Sequence, residues 1–439
     1  MKTAQSTRPY LYEFDRMRII TALSVVTVHV IALTTFLDAT VSTLQVQNAF
    51  VTIFHFTRAV FMFVTAFALV HVYYGKPFSW GRFWKRRGIG VVLPYTIWSI
   101  IYVLVNPHPN SPPLLMRRIL GDLLTGHASY QLYYILLTIQ FYLLFPLFLK
   151  FLQRVMRHPW IVLGLSFMFE VVTFYAIQNN LQSYLPGFIE LFLNRFKDSL
   201  VFVYQFYFIL GGLAALYLQS VRAFLRRHGA WVIGSMAAAL AALQLNYVDA
   251  LFVEHASLSS AVAVLQPVMA FYSTAVIFFL YWLTYRQVAR ITHPESARGQ
   301  RIWHTLSDAS FGVYLVHPLL LSAVTGLIMA YFMSWPTILL VVLIWLLTAG
   351  GAVACTVLLL NVPMLSRLVG HARPMPRIPF ILAWKGELWS ALRMGKQMPI
   401  QRLGQDEEQA QFSSSPRSEH ATDDMAHRLE TVEGGRASL

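Results

Sequence analysis

Ten stretches of this chain are each long and apolar enough to cross a lipid bilayer, and no soluble fold can bury that much unbroken hydrocarbon. They lie near residues 17–37, 49–74, 88–106, 132–152, 159–177, 199–219, 230–246, 260–283, 309–331 and 334–361. Within the bilayer core every backbone amide must find its partner inside the protein, which makes helices the natural solution for runs of about 20 residues. Composition agrees: 56% of the 439 residues are hydrophobic and 12% are charged, against about 25% charged in a soluble domain. The expected fold is all-α, a polytopic membrane protein of about ten transmembrane helices. The first apolar run is too long for the apolar region of a signal peptide and is expected to be kept as a span.

Lys and Arg in the connections set the orientation. One alternating set of connections, including the N-terminal segment, carries 19 of them, whereas the opposite set carries four, Arg117, Arg118, Arg195 and Lys197. Cytoplasmic loops hold such an excess, so both termini are expected in the cytoplasm. The net charge of +14 then reads as topological signal and attraction to anionic lipid, not as a nucleic-acid surface. Residues 1–361 form the expected membrane domain. Residues 362–400 read as a juxtamembrane, interfacial segment, with Ile381, Trp384, Leu388 and Leu392 on one helical face. Residues 401–439 are polar and read as a disordered cytoplasmic tail.

The single cysteine, Cys355, excludes an intrachain disulfide and a cysteine-built metal site. No metal ligand set, permanently bound cofactor, internal repeat, glycine-rich phosphate loop or HExxH motif is read from the chain. What stands out instead is ionisable chemistry inside the spans. In "EFDRMRIITALSVVTVHVI" Arg18 and His29 are eleven residues apart, which places them on one helix face with about 16 Å between them. Arg18 falls at the cytoplasmic mouth and His29 near the midplane, where an ionisable group costs roughly 2.5–3.5 kcal/mol on insertion scales. In "SDASFGVYLVHPLLL" the spacing of Ser310, Tyr314 and His317 lines hydroxyl, phenol and imidazole along a second face. Two histidines at similar depth suggest a polar cavity between helices. Other readings stay open: Arg18 as an orientation anchor, and either histidine as a packing group bonded to a backbone carbonyl.

The chain resembles the integral-membrane acyltransferase-3 family over roughly residues 10–360. The resemblance rests on "FDRMRIITALSVVTVHV", "FHFTRAVFMFVTAFAL", "WKRRGIGVVLPYTIWS", "LYYILLTIQFYLLFPLF" and "SFGVYLVHPLL" in this order. The family's Arg-x10-His pair falls on Arg18 and His29. Two positions depart from its pattern. An Arg-x-x-Arg before the Pro-Tyr aligns its first residue with Arg87 and its second with Gly90, and the histidine that often opens the fourth span is Gln131. The departures are similar to a Gram-positive branch that includes the polysaccharide intercellular adhesion O-succinyltransferase.

The resemblance implies an O-acyltransferase of the bacterial plasma membrane. It would move an acetyl or succinyl group from cytoplasmic acyl-CoA, a donor substrate and not a resident cofactor, to a cell-envelope or extracellular carbohydrate. On that reading the basic cluster Arg82, Lys85, Arg86 and Arg87 offers the polyanionic donor positive charge at the membrane surface. His29 acts as general base or transient acyl carrier, Arg18 orients the donor, and Arg58 stabilises an oxyanion. Arg58 also reads as a salt-bridge partner of Glu170, a carboxylate well inside a span; Glu170, Ser310, Tyr314 and His317 are candidates for substrate contact. The basic cluster also reads as orientation signal alone. Two other functions fit: an exporter of polysaccharide or lipid-linked sugar, and a non-catalytic membrane scaffold.

Overall fold

Long helices account for nearly all of the computed structural model, which describes residues 10–371 apart from 38, 39, 108, 110 and 291–295. The expected interfacial face at 381–392 and the tail from 401 lie outside the described residues. In chain order the helices are α1 (Tyr12–Leu33), α2 (Val41–Phe54), α3 (Thr57–Tyr73), α4 (Trp80–Arg87), α5 (Leu93–Val105), α6 (Pro112–Thr125), α7 (Tyr133–Val155) and α8 (Pro159–Gln178). They continue as α9 (Gly187–Phe196), α10 (Gln205–Leu216), α11 (Leu218–Arg227), α12 (Gly229–Phe252), α13 (Leu258–Ala261), α14 (Pro267–Ala289), α15 (Ser296–Tyr331) and α16 (Thr337–Asn361). No strand occurs among the described residues.

Nine helices among the described residues are long and apolar enough to span a membrane, counting α2 with α3 and α4 with α5 as single spans. The pair Gly187–Ser199 and Val201–Leu216, bent by 50°, is long and apolar enough when taken together, as a broken span or a re-entrant loop, and makes ten if counted as one span. The all-α, polytopic expectation of about ten spans therefore holds, with the sixth span as the irregular one. Beyond its bend this segment packs closely: a Cβ added at Gly211 would sit 2.3 Å from the Phe63 carbonyl oxygen, so α10 lies directly on the backbone of α3. A short helix at such a contact buries nine of its residues, Leu210 to Ala215 among them.

Two irregularities bring polar backbone into the bilayer region. Residues Gly88–Val92 form a single π-helical turn between α4 and α5. Pro94, which lacks an N–H, cannot bond back to the Gly90 carbonyl, so the regular ladder is interrupted there. Such turns are frequent at functional sites. The second is the break at His55 and Phe56 between α2 and α3. Elsewhere the outer surface is what lipid requires: Leu165, Met168, Phe169 and Val172 on α8 and Leu245 and Val248 on α12 are exposed. Trp160 and Trp231, at the N-terminal ends of those helices, are exposed at 81% and 77% and suit the membrane–water boundary.

Candidate active site

Helix α1 carries both halves of the site because its polar residues, eleven apart, face the same side. The hydroxyls beside His29 do not satisfy it. Ser24 donates to the Ile20 carbonyl at 2.9 Å and Thr27 to that of Leu23 at 3.0 Å, while Trp345 donates its indole N–H to Thr27 at 2.9 Å. His29 instead lines a cavity of about 110 Å³ with His55, Arg58, Tyr130, Gln131 and Tyr133. Its ring lies 4.3 Å from that of Tyr130 and is stacked 5.4 Å from that of His317 (centroid distances). Tyr130, just before α7, presents its ring and hydroxyl to this cavity.

His317 is fully buried. Its Nδ1 lies 2.8 Å from the Tyr314 carbonyl and 3.2 Å from that of Val313. Carbonyls only accept, so Nδ1 carries the proton and Nε2 is left as a lone pair. No described group bonds that Nε2. Pro318 lies inside α15 just after it.

Arg58 has a different ion partner from the one expected. Its guanidinium lies 3.1 Å from Asp198 and donates to the Tyr204 hydroxyl at 3.1 Å, and it sits over the Tyr133 ring at 4.9 Å. Glu170 is the correction. It is fully buried on α8, accepts the Phe206 backbone N–H at 3.3 Å, and lines neither the His29 cavity nor the next one. Asp198, on the bend between α9 and α10, lies nearer the aqueous edge and costs less to ionise than a carboxylate deep in the bundle.

Toward the N-terminal end of α1 lies a second cavity, of about 240 Å³, lined by Arg18, Thr138, Ser307, Asp308, Ser310 and Tyr314 among others. Arg18 makes no ion pair within 4 Å with a described carboxylate, although Asp15 and Asp308 lie within electrostatic reach of it and Asp308 lines the same cavity. The segment after α16 closes this cavity with Val369, Gly370 and His371. Gly370 is required there: its φ is +81°, and a Cβ on it would meet the Gly90 carbonyl oxygen at 2.5 Å. Gly90, where the family pattern has its second arginine, thus meets backbone from the far end of the domain. Of the basic cluster, Arg87 lies over the rings of Phe83 and Tyr142 at 5.7 and 5.1 Å, while Arg82, Lys85 and Arg86 are exposed on α4. None of the four lines the cavity itself.

Spacing along α1 and along α15 points to Arg18, His29, Ser310, Tyr314 and His317; the first four line these two cavities, whereas His317 lines neither and stacks on the His29 ring. His55, Tyr130 and Asp198 were missed. His55 follows a helix break, Tyr130 precedes a helix and Asp198 sits on a bend, so no periodic signal marks them. Gln131 was noticed only as a departure from a pattern; it is 2% exposed, and its backbone carbonyl accepts the Tyr314 hydroxyl.

The described residues thus form a polytopic helical bundle in which an imidazole lines an internal cavity. Residues 11–359 match the family model described as an acyltransferase domain, and the chain belongs to this acyltransferase-3 family: it is a membrane acyltransferase. A relative in Bacillus subtilis (strain 168), provisionally named membrane-bound acyltransferase YfiQ, is 26% identical over 317 residues, which cover 70% of this chain and 79% of the relative. No solved structure gives a significant match.

Proposed function

We propose that the enzyme transfers a short acyl group, acetyl or succinyl, from cytoplasmic acyl-CoA to a hydroxyl of a cell-envelope or extracellular polysaccharide, working in the bacterial plasma membrane with both termini in the cytoplasm. The observation that carries this reading is the placement of His29, at mid-depth in a cavity that also holds Arg58. The Arg18 cavity suits the donor: it opens at the end of α1 that the charge count assigns to the cytoplasm, and a guanidinium with no carboxylate in direct contact matches a phosphate group. The exposed Arg82, Lys85 and Arg86 add long-range attraction for the same anion.

The acceptor side is supported by a polar recess of about 740 Å³ lined by Tyr175, Asn179, Asn180, Lys197, Asp198 and Glu254. It lies at the C-terminal ends of α8 and α12, which run in the same direction as α1, and hence opposite the Arg18 cavity. Amides, carboxylates and an exposed tyrosine ring suit a sugar. Asp198 joins the recess to the site, since it also holds Arg58.

A stepwise route conserves atoms. The free nitrogen of His29 attacks the thioester carbonyl, a C–N bond forms, the C–S bond breaks and the thiolate leaves toward the cytoplasm. The acceptor hydroxyl then forms the ester C–O bond as the C–N bond breaks, and its proton passes to the imidazole and on to the thiolate. Arg58, permanently charged, faces the oxyanion of both tetrahedral intermediates. A cavity of about 110 Å³ is smaller than the engineered cavity of about 150 Å³ that takes up benzene. It does not hold thioester and sugar together, which favours His29 as carrier over His29 as base in a direct transfer. The test is exchange of labelled CoA into unlabelled acyl-CoA in membranes, without added acceptor. Exchange dependent on His29 is expected; transfer to polymer that survives in His29→Ala overturns the assignment.

A further inference from the structure

The two cavities share three lining residues, Phe61 of α3, Tyr134 of α7 and Tyr314 of α15. Their ring centroids form a nearly equilateral set: Phe61 to Tyr134 5.8 Å, Tyr134 to Tyr314 6.0 Å and Phe61 to Tyr314 6.3 Å. One ring from each of three helices therefore stands between Arg18 and His29. We propose that these rings form an aromatic partition that admits a small uncharged acyl group to His29 and refuses charged or longer ones, with Phe61 as its movable member. This rests on the acyl-CoA reading above and narrows its donor to acetyl-CoA in preference to succinyl-CoA.

Three observations converge. Tyr314 is 6% exposed and its hydroxyl is committed to the Gln131 carbonyl, so that ring is pinned between α15 and the start of α7. Phe61 has no polar atom to anchor it and is only partly buried, so it is the ring with freedom to swing. The space beyond is small, about 110 Å³. A terminal carboxylate passing the rings would leave water at an apolar edge where the Tyr314 hydroxyl is already engaged, and the cation beyond, Arg58, is already paired with Asp198, so the added charge gains no free partner and is strongly disfavoured. Acetyl carries no such group. A longer alkyl chain meets no charge penalty, but it overfills the His29 cavity.

The test measures free thiol released from acetyl-CoA, butyryl-CoA and succinyl-CoA by inside-out membrane vesicles, with the His29→Ala background subtracted, so that no acceptor need be known. Wild type is expected to prefer acetyl-CoA at least tenfold over either other donor. Phe61→Ala, which merges the cavities, is expected to bring the three rates within threefold, and the milder Phe61→Leu to move the ratio part of the way even if the alanine variant fails to accumulate. Equal use of succinyl-CoA and acetyl-CoA by wild type overturns the partition. So does an unchanged ratio in Phe61→Ala and Phe61→Leu that retain acetyl transfer. Absence of His29-dependent release from every thioester instead removes the acyl-CoA reading itself, and the partition with it.

Discussion

Two regions of this bundle place ionisable side chains deep between helices, and they differ in whether those side chains face a cavity. Around Glu170, α8 and α10 close on each other: Ser166 donates to the Gln205 side chain and Gln205 returns a bond to the Ser166 carbonyl, both at 2.7 Å, while Glu170 accepts from the Phe206 amide. These bonds serve the contact of the two helices, and Glu170 lines neither the His29 cavity nor the Arg18 cavity. Around His29, by contrast, the neighbouring hydroxyls turn back on their own helix, and His29 itself faces open space. An ionisable group inside a membrane is thus a weak sign of catalysis by itself. The sign becomes strong when polar groups converge on a space that a reactant can enter.

The contrast is most sharply broken or upheld at His29. His29→Ala is expected to lower acyl transfer by about 10³-fold, within the range for loss of a positioned acid–base or nucleophilic group, at unchanged protein level in the membrane. Labelled acyl group incorporated per mole of enzyme checks it. Next comes Arg58. Arg58→Lys keeps a cation but removes the Nη1 that contacts both Asp198 and Tyr204, and a loss of about 10²-fold in kcat is expected for an oxyanion donor. Asp198→Asn should move the same rate in the same direction by less; no change in either variant would reduce Arg58 to packing.

Arg18→Ala is expected to raise KM for the donor by roughly tenfold with kcat little altered, since a charge-assisted bond contributes about 1.5–3 kcal/mol. Raising the ionic strength should narrow the gap between variant and wild type, because exposed charges act through a screened field. The smallest effect belongs to the other region. Glu170→Gln keeps an oxygen for the Phe206 amide, so transfer should stay within about twofold of wild type while stability falls by about 1 kcal/mol. A loss of activity at Glu170 as large as that at Arg58 would erase the distinction between the two regions.

How much of this was legible in the chain follows from the same contrast. Long apolar runs announce spans regardless of their neighbours, and ten were readable. The second began earlier than hydropathy suggests: Val41–Asn48 contains Gln45, Gln47 and Asn48, yet stays helical, where Tyr247 donates to the Gln45 carbonyl and Gln244 to that of Ala49. Within the site, residues sharing one helix face could be found from spacing. Those brought in by other elements could not: Asp198 is 140 residues from Arg58, and nothing local in either stretch encodes their meeting. Glu170 misled for the opposite reason, because its bonds to α10 are as invisible in sequence as a cavity is.

The last described turn of the chain has an implication for how the enzyme comes into being. Residues Val369 to His371 close the Arg18 cavity, with Trp98 donating to the Leu368 carbonyl at 2.9 Å and His371 lying 3.5 Å from Asp308. A ribosome delivers these residues only after every span has been made. The pocket assigned to the donor is therefore walled off last in biogenesis, and a nascent chain holding all of its membrane helices is still an open vessel until its final strap is threaded across Gly90.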